Sequence, residues 1–106
     1  MSICQIQVAV SDEQTAANIV DALLARRLIA CGQRSGPVAS RYWWKGQQEE
    51  AEEWIVMLKT REELSGAVID FVSKMHPYET PEILVLPVSG GNTAYVRWVK
   101  DEVVVE

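Results

Sequence analysis

Residues Ile3 to Val10 alternate in character, and a period of two places Ile6, Val8 and Val10 on one face of a strand over about residues 3 to 10. The pattern then turns helical. Ser11-Asp12-Glu13-Gln14 reads as a capping box, with Ser11 accepting a backbone N–H and Gln14 reaching back to cover another. Behind it Ala16, Ile19, Val20, Leu23, Leu24 and Leu28 form one stripe of a helix that runs to about Arg27. After Ala30-Cys31-Gly32 an extended arm is interrupted by Gly36-Pro37. Val38, Ser40, Tyr42 and Trp44 then alternate with Ala39, Arg41, Trp43 and Lys45, giving a long second strand with aromatics on both faces.

A glycine turn at Lys45-Gly46-Gln47-Gln48 leads to a third strand from about Glu50, whose run Trp54-Ile55-Val56-Met57-Leu58 reads as a central strand buried on both sides. Thr60-Arg61-Glu62-Glu63 repeats the capping-box pattern. Leu64, Ala67, Val68, Phe71, Val72 and Met75 follow at helical spacing, and Pro77 ends that helix by disfavouring helical geometry at His76. Pro77 and Pro81 stiffen the loop from His76 to Glu82 before a fourth strand, Ile83 to Leu86. Asn92 is placed to cap a short third helix carrying Tyr95, Val96, Trp98 and Val99, and Val103 to Val105 closes the chain as a short strand or an extended tail.

The order strand, helix, strand, strand, helix, strand is a split βαβ pattern: an α+β, ferredoxin-like antiparallel sheet with strands 1 and 3 central and both long helices on one face. The other face has only helix 3 and the tail to cover it, so self-association is the simplest cover. At 106 residues and 48% hydrophobic content, the whole of 1–106 reads as one domain.

A net charge of -5 repels a phosphate backbone and argues against nucleic acid as a partner. The basic pair Arg26-Arg27 sits where a helix dipole favours cations and needs no ligand. No stretch approaches the roughly 20 apolar residues of a membrane span, and Met1-Ser2-Ile3-Cys4-Gln5 lacks a basic and apolar leader; a cytoplasmic protein with no membrane partner is expected. Cys4 and Cys31 match no zinc spacing and make no disulfide scaffold.

Several stretches occurring in this order resemble the CutA divalent-cation-tolerance family. They are Ala30-Cys31, Tyr42-Trp43-Trp44-Lys45-Gly46, Leu58-Lys59-Thr60, His76-Pro77-Tyr78-Glu79-Thr80-Pro81-Glu82-Ile83, and Gly91-Asn92 followed by Tyr95 and Trp98. The resemblance runs from strand 1 to about Val99. It implies a homotrimer of ferredoxin-like subunits, a role in tolerance of copper and other divalent cations, no established catalytic chemistry, and copper ligands at Cys31 and His76. Where some members carry a cysteine late in strand 1, this chain has Val8.

Copper selects thiolate, thioether or imidazole donors, here Cys4, Cys31, His76, Met1, Met57 and Met75. Each has a plainer reading: Met75 as a core residue on its helical stripe, His76 as a cap on the last carbonyls of helix 2, the cysteines as small buried apolar residues. The topology separates Cys31 from His76 by roughly 20 Å, the length of helix 2. A joint site therefore needs two subunits or does not exist. Cys4 and Cys31 are expected two strand spacings apart, about 10 Å, too far for a disulfide.

No phosphate loop or nucleophile elbow is present, and no organic cofactor is evident. Glu79 and Glu82 read either as paired acids or as a solvated residue and a residue bonding loop amides. The run Glu49-Glu50-Ala51-Glu52-Glu53 reads as a solvated hairpin tip that could also collect divalent cations weakly. Three functions follow: a trimeric metal-responsive protein; a small-molecule signalling module like the PII-like trimers of this fold class, its cleft walled by Trp43, Trp44, Tyr78 and Glu79; or a structural trimer that holds other proteins.

Overall fold

In the computed structural model, which describes residues 2–105, the chain runs β1 (Ile3–Val10), α1 (Glu13–Ala25), β2 (Cys31–Trp44), β3 (Gln47–Arg61), a 3-10 turn (Glu62–Leu64), α2 (Ser65–Met75), β4 (Ile83–Pro87) and α3 (Thr93–Glu102). The strands form one antiparallel sheet in the order β2-β3-β1-β4, the ferredoxin-like arrangement with β1 and β3 central. Cys4, Ile6, Val8 and Val10 alternate onto the helix-covered face, where they meet Val56 and Leu58 of β3, Ile19 and Leu23 of α1, and Val68 and Val72 of α2. Each such fully buried aliphatic side chain stabilises the fold by roughly 1.5–3 kcal/mol.

The caps depart from the expected ones. Asp12, not Ser11, caps α1: its carboxylate accepts from the Thr15 N–H at 2.7 Å and from the Thr15 hydroxyl at 2.9 Å. Ser11 donates to that carboxylate, and Gln14 bonds Asn18 one turn on rather than reaching back. A carboxylate is the stronger acceptor at a helix N-terminus, so it takes the position from the neighbouring hydroxyl. These bonds, the backbone one first, hold the Asp12 carboxyl below its ordinary value of 3.8. A depressed folded-state value gives stability that is present above 3.8 and lost as pH falls through the folded value. Asp12→Ala is therefore expected to unfold at a lower temperature than the wild type at neutral pH, with the gap narrowing as pH falls below 3.8, in thermal melts across that range.

α1 ends at Ala25, two residues early, because Arg27 adopts a left-handed φ of 56°. Leu24 lies at the edge of the stripe and is exposed. Arg26 packs over the Phe71 ring at 4.5 Å, and Arg27 donates to the Glu102 carbonyl at 3.1 Å, so both arginines serve the fold. Thr60 does not cap a helix. It stays in β3, where the ladder holds it, and its buried hydroxyl donates to the Leu28 carbonyl at 2.7 Å. α2 starts at Ser65 without a side-chain cap, leaves Ala67 exposed, and ends at Met75 as Pro77 requires. Asn92 caps α3 through the Tyr95 N–H at 3.1 Å. Val103 to Val105 form no strand; the tail is extended, tied by the Val104 N–H to the Arg27 carbonyl at 3.0 Å.

β2 and β3 continue past the sheet as a two-stranded ribbon, which makes the molecule 44 Å long against 25 and 21 Å in the other directions. Lys45 and Gly46 both have positive φ, 52° and 79°, the geometry of a two-residue hairpin turn. So tight a turn lets pairing resume at once, and β3 begins at Gln47 rather than Glu50. The register slips between Ser35 and Val38, where Gly36 passes so close to the Trp54 ring that a Cβ would stand 2.7 Å from it. Only one face of the central part of β3 is sealed: Val56 and Leu58 are buried, while Ile55 and Met57 on the opposite face are half-buried, because α3 covers that side of β1 and β3 incompletely. Among the described residues no helix is long and apolar enough to cross a membrane.

Candidate functional site

Where the ribbon leaves the sheet, the loop after α2 folds against it and closes a cleft of about 550 Å³. Strand alternation sends Ser40, Tyr42 and Trp44 to the cleft side of β2, and Glu53 faces it from β3 opposite Val38. Tyr78, Glu79 and Glu82 enter from the loop.

His76 fixes that loop. Its Nε2 donates to the Ala9 carbonyl of β1 at 2.7 Å, and its Nδ1 accepts the Tyr78 N–H at 3.2 Å. The imidazole and the Tyr78 ring pack at 4.6 Å between centroids. Tyr78, held this way, donates its hydroxyl to a Glu53 carboxylate oxygen at 3.0 Å. Burial, then the bond and charge of Glu53, push the Tyr78 phenol up to about 12, so it stays a donor at neutral pH. Glu82 binds β1 twice: its carbonyl accepts from the Ala9 N–H at 3.4 Å and its carboxylate accepts from the Gln7 amide at 3.0 Å.

Of the aromatic and acidic residues singled out in the sequence, Trp44, Tyr78 and Glu79 line the cleft. Trp43 does not; alternation turns it to the other side of the ribbon, where it is 70% exposed. The cap on α2 expected of His76 is replaced by the bond to β1, since the extended backbone before Pro77 turns the ring off the helix end. Glu82 bonds the Gln7 side chain instead of loop amides. Glu53 belongs to a run read as solvated, yet it is buried; its acidic neighbours gave no sign of this, and only the meeting with Tyr78 accounts for it.

The copper donors do not converge within one chain. Cys31 pairs with Lys59, whereas His76 bonds Ala9, which pairs with Ile55; four residues of strand separate the two levels, about 13 Å. Both nitrogens of His76 are already engaged. Cys4 is buried on the helix face, and burial, then Glu62, push its thiol up. Cys31 lies on the opposite face, half-buried beside Tyr95, and both cysteines are free. Met75 packs against the core, Met57 is half-buried on the α3 side, and Met1 lies outside the described residues. Among the described residues no group of three or more His, Cys, Asp and Glu side chains is placed to hold a metal ion.

A model of the family described as CutA1 divalent ion tolerance protein matches residues 4–102. The chain is 42% identical over 89 residues to Protein CutA of Homo sapiens, an alignment covering 84% of this chain and 50% of that protein. It is 41% identical over 87 residues to the Divalent-cation tolerance protein CutA of Salmonella newport, covering 82% of this chain and 76% of the relative. It spans about half the length of the mammalian and rice relatives it matches. The crystal structure of CutA1 from Oryza sativa has the same fold, with a TM-score of 0.96 at 28% identity over 100% of this chain and 97% of that one.

Proposed function

The chain belongs to the CutA1 divalent ion tolerance family, and from that premise we propose that it works as a homotrimer in the response to divalent metal ions, holding copper or another divalent cation between subunits. The observation that carries the assembly is the apolar surface on the side of the sheet away from α1 and α2. Leu84 and Leu86 of β4 are exposed there, half-buried Ile55 and Met57 of β3 share that face on the far side of β1, and Tyr95 and Trp98 stand exposed on α3. Surface of this kind favours burial against another copy. Cys31 and Met57 are half-buried soft donors on that face, and because His76 sits elsewhere and is fully bonded, a copper site built on Cys31 draws its remaining ligands from neighbouring subunits.

Native mass spectrometry under reducing conditions tests both halves. A trimer that takes up a fixed whole number of copper ions, lost in Cys31→Ala, is expected. A monomer would overturn the assembly, and scattered adducts shared by wild type and Cys31→Ala would overturn the copper site.

The cleft supports a second reading, a small-molecule-responsive module. Its volume of about 550 Å³ and its aromatic lining fit an organic ligand of modest size.

A further inference from the structure

The cleft between the ribbon and the 76–82 loop combines a buried acid with aromatic walls. Glu53 is only 8% exposed, yet among the described residues its carboxylate accepts one hydrogen bond, from the neutral Tyr78 hydroxyl, and no lysine, arginine or histidine lies within ion-pair distance. Burying a carboxylate without a counter-charge is costly, and a cation entering the cleft would relieve that cost. Glu79 and Glu82 add negative charge at the same lining. Arg41 also contributes to the wall, but its guanidinium donates to Gln48 at 3.2 Å. Around the acids stand the rings of Tyr42, Trp44 and Tyr78. The Trp44 indole already attracts a cation, the Lys45 ammonium 5.6 Å from its centroid.

We propose that this cleft binds a small organic cation, an alkylammonium whose charge rests between the aromatic faces and the Glu53 and Glu79 carboxylates; the proposal rests on the small-molecule reading of the same cleft. A bare divalent cation is a poorer match. It demands several oxygens converging at about 2.0–2.6 Å, and the cleft acids do not converge. An alkylammonium carries a diffuse charge that ring faces satisfy at up to about 6 Å, with one or two carboxylates completing the match.

The experiment titrates the purified full chain with tetramethylammonium and 1,4-diaminobutane, and in parallel with neutral tert-butanol and anionic trimethylacetate, by calorimetry and tryptophan fluorescence. Both cations are expected to bind at least about 10-fold more tightly than the neutral and anionic probes. Trp44→Leu and Glu79→Gln, both at exposed positions, are each expected to weaken cation binding by about 3- to 10-fold while circular dichroism stays unchanged. Glu53→Gln should weaken it further, and the surface variants carry the test if that one misfolds. If tert-butanol or trimethylacetate binds as well as the cations and Trp44→Leu removes it, the cleft is a ligand site but not a cation site, which overturns the proposal alone. If no probe binds, the proposal and the small-molecule reading both fall. Cation binding that ignores Trp44→Leu and Glu79→Gln, or that magnesium displaces at equal concentration, also overturns the proposal.

Discussion

Gly32→Ala is expected to destabilise the fold by about 1–3 kcal/mol, although alanine is ordinarily the better strand residue. Gly32 lies at the start of β2 where that strand passes under α1, and a Cβ there would stand 2.7 and 2.9 Å from the two methyl groups of Val20 and 3.3 Å from its Cβ. Rotating Val20 only exchanges one methyl for the other, and its own Cβ stays too close. β2 must therefore lift away from α1, loosening packing around Val20 that extends to Leu23 and Leu58. For a chain of this size each kcal/mol lowers the melting temperature by roughly 4–8 °C. The cause is read by a double-mutant cycle in denaturant unfolding: removing the obstructing methyls should make Gly32→Ala/Val20→Ala no less stable than Val20→Ala alone. Simple addition of the two single losses would show that the clash is not what Gly32 avoids.

Contacts of this kind mark the limit of what periodicity reveals. Ile6, Val8 and Val10 declared β1 because a period of two on one face is a local property, and Pro77 ended α2 because its ring constrains the residue before it. The central places of β1 and β3 followed from the split βαβ order. Where neighbours compete, local patterns misassign roles. Ser11 and Asp12 both suit a cap, and the carboxylate prevails; Thr60 looks like a cap but is held by the ladder. The cleft was legible as a set of residue types, Trp44, Tyr78 and Glu79, but not as a geometry. Which face Trp43 takes depends on the register after the slip at Gly36-Pro37. The burial of Glu53 depends on a tyrosine 25 positions away, and the bonding of His76 on a carbonyl 67 positions away.

That long-range bond leads to the other large effect: His76→Ala is expected to cost about 2–4 kcal/mol in chelator-treated, metal-free buffer. The ring is buried and satisfies two backbone groups at once, the Ala9 carbonyl and the Tyr78 N–H, and its face supports the Tyr78 ring. Truncation leaves both groups without a partner, each at about 1–3 kcal/mol before any water enters. It also frees Tyr78 from the geometry that aims its hydroxyl at Glu53, so the damage should reach the cleft as weaker tetramethylammonium binding. His76→Gln separates this role from metal ligation. A glutamine amide can extend a donor toward the Ala9 carbonyl where imidazole Nε2 now stands, so it should recover part of the stability lost in His76→Ala. A residue whose task is to hold copper would behave oppositely: neither variant would lose stability in metal-free buffer, and both would lose copper. Melts of the three proteins at one protein concentration, with and without chelator, decide between these outcomes. A His76→Ala protein as stable as the wild type in chelator would overturn the structural role assigned to the histidine.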